Sequence, residues 1–143
     1  MELEGEDGIF MKIARHEAPA HIVYEDEDTI AFLSTGPIAP GHTLVIPKRP
    51  FRNIFDIDQQ TLDAVMRTVR KVAPAIRDAV GANGVQINSN HEAAAGQEVF
   101  HLHMHIIPRH DRSEFEFWPH GEYAGGEASA VAEKIRDRIG NGS

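Results

Sequence analysis

The stretch Gly96-Gln97-Glu98-Val99-Phe100-His101-Leu102-His103-Met104-His105-Ile106-Ile107-Pro108-Arg109 decides how this chain is read. His101, His103 and His105 alternate with Leu102 and Met104, and Phe100 and Ile106 continue the apolar phase. Side chains of a β-strand point to opposite faces with period two, whereas a helix would scatter these histidines around its circumference. A strand over Val99–Ile107 therefore puts three imidazoles on one face, roughly 6.5–7 Å from one to the next. Phe100, Leu102, Met104 and Ile106 fill a core on the other face. Pro108 is expected to end the run.

Three uses of such a face compete. A solvated face of an antiparallel strand usually carries Lys, Glu and Thr, so three outward histidines fit it poorly. A metal site is the sharper rival, since His-x-His supplies two ligands and His91, Glu92 or Glu98 could add another. The third use is phosphoryl or nucleotidyl transfer, in which one imidazole attacks phosphorus and its neighbours hydrogen-bond the phosphate oxygens and leaving group. Just upstream, Asn88-Ser89-Asn90-His91-Glu92-Ala93-Ala94-Ala95-Gly96 reads as a small polar turn. Such a turn can present an Asn amide and backbone N–H groups to an anion.

Outward from this stretch, the chain reads as alternating short strands and helices. Ile9–Arg15 forms a short helix closed by Pro19. His21–Glu25 and Thr29–Leu33 pair as a hairpin around Asp26-Glu27-Asp28, and His42–Ile46 is a third strand after a loop bracketed by Gly36-Pro37 and Pro40-Gly41. Asp58 caps a long helix whose stripe runs Leu62, Val65, Met66, Val69, Val72, Ala73, Ile76 and Val80. Pro74 should kink it, and Gly81 and Gly84 end it. Gly84–Asn88 is the fourth strand. Val131, Ile135 and Ile139, four apart, mark a C-terminal helix ending at Gly140. This order implies one α+β domain with an antiparallel sheet of about five strands, one long helix and one or two short ones. Residues 1–7 are expected to be a flexible terminus, 8–112 the core of the domain, and 113–143 a C-terminal extension belonging to the same domain.

Composition narrows the function classes. The chain has 143 residues, no cysteine and a formal net charge of −8. That length suits one domain with its own core, and without cysteine there is no disulfide framework or thiolate metal site. The negative balance argues against nonspecific nucleic-acid or anionic-membrane partners. No apolar run approaches a membrane span, and the acidic N-terminus lacks a signal peptide's basic and apolar regions, so a cytoplasmic protein is expected.

Gly96-Gln97-x-Val99-x-His101-x-His103-x-His105 with Ile106-Ile107-Pro108-Arg109 resembles the signature of the histidine-triad (HIT) family of nucleotide hydrolases and transferases, in its bacterial type. Ala31–Lys48 resembles that family's second conserved block, and Ile9–Ala14 and Val23–Asp26 extend the likeness to about residues 8–112. The resemblance implies a HIT-like fold and hydrolysis of a nucleoside phosphoramidate or dinucleoside polyphosphate through a nucleotidyl-His103 adduct. His103 is then the nucleophile, its other ring nitrogen holding a proton against a fixed acceptor such as a backbone carbonyl. His105 bonds a phosphate oxygen, and His101 sits near the bridging atom or leaving group. Asn90 takes the place of a phosphate-contacting amide, Gln97 and Val99 offer backbone N–H groups, and Phe10, Phe32 and Leu33 line the base pocket.

Two positions depart from the family pattern. Ser34 stands where relatives usually have an Asp that accepts hydrogen bonds from both ribose hydroxyls. Glu98 stands where many carry a small hydroxyl residue, and its carboxylate would repel phosphate unless it points away. Bacterial members that bind structural zinc use Cys-x-x-Cys and a His at the positions of Gly8, Met11 and Pro50, none of which is a zinc ligand here. No metal and no cofactor are expected. The partners implied are a purine nucleotide, with adenosine preferred, and a second copy of the chain in a homodimer. Ser34 and Glu98 keep open a nucleotide-binding regulatory module with weak catalysis, and His101 with His103 a metal-dependent site.

Overall fold

Asp26 shows how the sequence makes its first turn. Its Oδ1 accepts hydrogen bonds from the backbone N–H of Asp28 at 2.9 Å and of Thr29 at 2.8 Å, an Asx turn that reverses the chain. This joins β1 (Ile22–Glu25) to β2 (Thr29–Leu33) as an antiparallel hairpin. The computed structural model describes residues 5–141, with α1 (Ile9–Ala14), β3 (Thr43–Pro47), α2 (Gln59–Ala79), β4 (Gly84–Asn88), β5 (Met104–Arg109) and α3 (Glu127–Asn141) as the other elements. The strands form one sheet in the order β1-β2-β3-β5-β4, every neighbouring pair antiparallel. α2 carries the chain from β3 to the edge strand β4, and β5 then returns between them.

Each sheet face has its own cover. Val65, Val69, Val72 and Ile76 of α2 pack on Ala31, Val45, Leu102 and Ile106. Asp58 caps that helix by accepting from the N–H of Thr61 at 2.7 Å, and a buried bond of 2.6 Å between the hydroxyls of Thr29 and Thr68 keys it to β2. Pro74 lies inside α2, which runs on to Ala79. The opposite face carries Phe10, Ile13 and Ala14 of α1 against Ile30, Phe32, Leu44 and Ile46. Gly41, at φ +98°, lets the chain enter β3 where a Cβ would lie 3.1 Å from both Pro108 and Val80.

The histidine stretch is only partly strand. β5 begins at Met104, not Val99, and Pro108 lies inside it, paired with Val85. β3 pairs with β5 only from Met104 to Ile106, so Pro108 sits past the last β3 partner, where a missing N–H is tolerated. Ahead of Met104, Leu102 N–H donates to Phe51 O at 2.8 Å and Ser89 Oγ donates to His103 O at 2.8 Å. Those bonds replace the sheet ladder. The alternation of side chains survives: Leu102 and Ile106 are buried under α2, and the histidines take the α1 face.

At the termini, Gly5–Asp7 forms a 3-10 turn, and Glu6 pairs with Arg15 at 2.9 Å; the rest of the expected flexible segment lies outside the described residues. α3 runs one residue past Gly140, and its stripe of Val131, Ile135 and Ile139 is exposed. No helix among the described residues is long and apolar enough to cross a membrane.

Candidate functional site

A cavity of about 670 Å³ opens on the α1 face of the sheet. Phe10 from α1, with Phe32, Leu33 and Ser34 from the end of β2, forms one wall. Asn90, Gln97, Glu98 and Val99 form another, and His103 and His105 face it. The cavity thus gathers every residue expected at a nucleotide site except His101; His91 and Glu92, the other candidate metal ligands, do not line it. The Phe10 and Phe32 rings meet edge to face at 5.6 Å, which makes that wall apolar.

His103 has its tautomer fixed by geometry. Its Nδ1 lies 2.7 Å from the carbonyl oxygen of His101, which can only accept, so Nδ1 carries the proton and Nε2 keeps its lone pair. A backbone carbonyl two residues back is the acceptor that a histidine nucleophile requires. Burial lowers the His103 pKa, opposed by that same bond, which favours the imidazolium. His103 is therefore neutral at physiological pH.

His105 is fixed by a longer chain of bonds. The backbone N–H of Ile38 donates to His42 Nδ1 at 3.1 Å, so His42 holds its proton on Nε2. That Nε2 lies 2.9 Å from His105 Nδ1 and donates to it. His105 is then left with its proton on Nε2, a donor beside a ring whose centroid is 4.9 Å from that of His103. Burial, with the neighbouring His103 and His42, pushes the His105 pKa down to about 4. Burial, then the Arg109 guanidinium, lowers that of His42. A neutral acceptor and a neutral donor stand side by side. His42 is a fourth member that the alternation could not reveal.

His101 is placed differently from the expectation. It is buried, and its Nε2 donates to Pro47 O at 3.0 Å, with Phe10 packed edge-on at 5.8 Å. It does not line the cavity. Burial pushes its pKa down to about 4. Its bond ties the histidine segment to the end of β3, and its own carbonyl orients His103.

Gln97 also departs from its expected part. Its backbone N–H donates to Glu92 O at 3.1 Å and is not offered to a ligand. Its buried side chain accepts from Asn53 Nδ2 at 3.0 Å and Glu92 N–H at 2.8 Å, and donates to Arg52 O at 2.8 Å and Val99 O at 3.1 Å. By contrast, the N–H groups of Glu98 and Val99 and the amide of Asn90 have no partner among the described residues. Gly96, at φ +94°, brings the turn within 3.2 Å of Asn90 Nδ2, measured from where a Cβ would stand. Glu98 is exposed at the rim. Ser34 Oγ accepts from Gly36 N–H at 3.3 Å and borders the cavity.

The site pairs an imidazole lone pair with N–H donors in a half-apolar cleft, an arrangement that suits an anion attached to a flat ring. Among the described residues, no three His, Cys, Asp or Glu side chains converge as metal ligands. Residues 15–112 match the model of the HIT domain. Protein hit of Bacillus subtilis is 41% identical over 109 residues, covering 76% of this chain and 75% of that one. Adenylylsulfatase HINT3 of Arabidopsis thaliana is 38% identical over 106 residues, covering 74% of this chain and 54% of that one. A histidine triad nucleotide-binding protein of Candida albicans superposes with a TM-score of 0.83 at 27% identity, over 94% of this chain and 99% of that one.

Proposed function

The chain belongs to the HIT family, and from that premise we propose that it is a nucleotide hydrolase or nucleotidyl transferase acting through a covalent His103 adduct. The observation that carries this reading is the 2.7 Å bond from His103 Nδ1–H to the His101 carbonyl, which leaves Nε2 as a fixed nucleophile at the cavity. Nε2 attacks the α-phosphorus of a nucleoside phosphate, and a P–N bond forms to the ring. The P–N or P–O bond to the leaving group breaks, and the electron pair goes with that group. An amine departs after taking a proton from solvent at the open cleft; a phosphate or sulfate departs as an anion and needs none. The ring becomes cationic, and the His101 carbonyl accepts a stronger bond from it. His105 Nε2–H and the free N–H groups of Glu98 and Val99 hold the phosphoryl oxygens. Water then attacks phosphorus, the P–N bond to His103 breaks with its electron pair returning to Nε2, and the proton of the water passes to solvent.

Phe10, Phe32 and Leu33 supply an apolar slot for a purine base, adenine by preference. The substrates that fit are a nucleoside phosphoramidate, a dinucleoside polyphosphate or an adenylyl sulfate, the last suggested by the name of the plant relative. A homodimer through α2 and the edge strand β4, where Met66 and Ile87 are exposed, belongs to this reading. A monomer in sedimentation would remove it.

The test is product release from adenosine phosphoramidate, a dinucleoside polyphosphate and adenylyl sulfate with excess EDTA, by the natural protein and His103→Ala. Turnover that survives EDTA and is lost in the variant supports the adduct; turnover lost to EDTA sinks it. A second reading, a nucleotide-binding module with little catalysis, rests on Ser34 and Glu98 at the cavity wall. AMP binding without turnover of any of the three would select it.

A further inference from the structure

Glu92 is held where its backbone does not belong. It has φ +81° and ψ 157°, a region that is almost exclusively glycine's because a Cβ clashes there. Yet the carboxylate of this strained residue is tied by three side-chain bonds. Arg52 grips its carboxylate with two parallel bonds, Nε to Oε2 and Nη2 to Oε1, both at 2.9 Å. Asn53 Nδ2 adds a third bond at 2.7 Å. The guanidinium in turn lies over the Phe100 ring, 4.2 Å from its centroid.

The same two loops are joined by further bonds on either side of this knot. Gln97 reaches Arg52 O and Asn53, His91 Nδ1 accepts from Ile54 N–H at 2.9 Å, and Leu102 N–H donates to Phe51 O. An isolated exposed ion pair is worth little, but a bidentate Arg–carboxylate inside a network is the exception. Strain that persists only because its surroundings over-determine it is characteristic of functional sites. The turn in which Glu92 lies is the one that brings Asn90, Glu98 and Val99 to the cavity.

We propose that Glu92 is a positioning residue: clamped by Arg52 and Asn53 across to the loop before α2, it holds the 90–99 turn in the conformation that presents Asn90 and the free backbone N–H groups to a nucleotide phosphate beside His103. This rests on the nucleotide reading above for the ligand, but not for the mechanics. Without the clamp, the backbone of Glu92 relaxes towards negative φ. The turn then samples conformations in which its donors no longer converge.

The experiment uses the full chain with Glu92→Gly and Arg52→Gln. Glycine removes the strain and the clamp together, so the folded state keeps its stability while the turn loses its hold. Two measurements are made, amide hydrogen exchange by segment and AMP binding by calorimetry. The expected result is exchange about tenfold faster across 90–100, with β1–β3 and α2 unchanged, Tm within about 3 °C, and AMP bound about tenfold more weakly by both variants. A merely structural ion pair would instead lower Tm and leave the affinity of the folded protein alone; that outcome overturns the proposal, as does unchanged exchange in Glu92→Gly. If the natural protein binds no AMP, the nucleotide reading fails, and the exchange data still decide whether Glu92 holds the turn.

Discussion

At the level of single residues, the proposed chemistry rests on fixed tautomers. His103 and His105 are chemically alike, and their opposite roles come from what their Nδ1 atoms meet. One meets a carbonyl, which can only accept; the other meets an N–H that His42 can only donate. Replacing His42 by Phe leaves His105 free to flip its proton to Nδ1, so the donor is lost from part of the population. We expect kcat to fall roughly 10- to 100-fold, less than outright loss of an oxyanion donor, with KM little changed. His42→Gln, whose amide can still donate, should recover most of that loss; if Gln is as poor as Phe, the tautomer argument is wrong. Ser34 invites the opposite experiment. Ser34→Asp places a carboxylate where only a short hydroxyl borders the cavity, giving ribose a two-fold acceptor. A lower KM for adenosine phosphoramidate, by about threefold to tenfold, is expected from one added charged hydrogen bond. An unchanged KM would show that ribose does not reach Ser34.

At the level of elements, legibility depended on whether a signal was local. The hairpin was readable because Asp26 makes its own turn, α2 because Asp58 caps it and its stripe has a helical period. β4 was readable as a β-rich run ahead of a polar turn. β5 starts five residues later than the alternation predicts, since alternation reports which way side chains point, not which ladder bonds form. Just ahead of Met104, Leu102 N–H bonds to Phe51 and His103 O to Ser89, outside any ladder, while the side chains go on alternating. His42 escaped for a related reason. Register pairs Leu44 with His105, so His42 stands diagonally across from it on the same face, but no register can be read from the sequence. The buried Thr29–Thr68 bond is likewise invisible until α2 is docked. It makes a prediction of its own. Thr68→Val keeps the shape of the helix face and strips Thr29 of that partner, costing about 1–2 kcal/mol. Urea unfolding should show this as a lower midpoint at unchanged m; no change would mean the hydroxyls are incidental to docking.

For the molecule as a whole, the chemistry of the site and the stability of the fold share one currency, the neutrality of buried imidazoles. His101 is buried between Phe10 and the end of β3, and its pKa lies near 4. In the unfolded chain the same group titrates near 6.5. Between those values the unfolded state binds more protons than the folded one, so stability rises with pH through this window. The contribution is present in full above pH 6.5 and is lost as pH falls towards 4, about 3 kcal/mol for His101. His105, also near 4, adds to the same slope. The carboxylates act lower down: Glu92, held near 2 first by Arg52 and then by Asn53, stays ionised across the window, and its loss belongs to more acid pH. Denaturant midpoints measured from pH 7.5 to 4.5 therefore report on the histidines. The natural protein should lose stability steadily below pH 6.5. His101→Gln can still donate towards Pro47 O but cannot titrate, so its profile should be flatter by that share even if its stability at pH 7.5 is lower. Catalysis should follow a different course. In the proposed mechanism attack requires neutral His103, whose pKa is lowered below 6.5, so the acid limb of the rate should lie under pH 6.5 and be the same in His101→Gln. Parallel stability profiles in the two proteins would mean that the His101 pKa is not lowered on folding, and would remove the link between the packing of this histidine and the acid sensitivity of the fold.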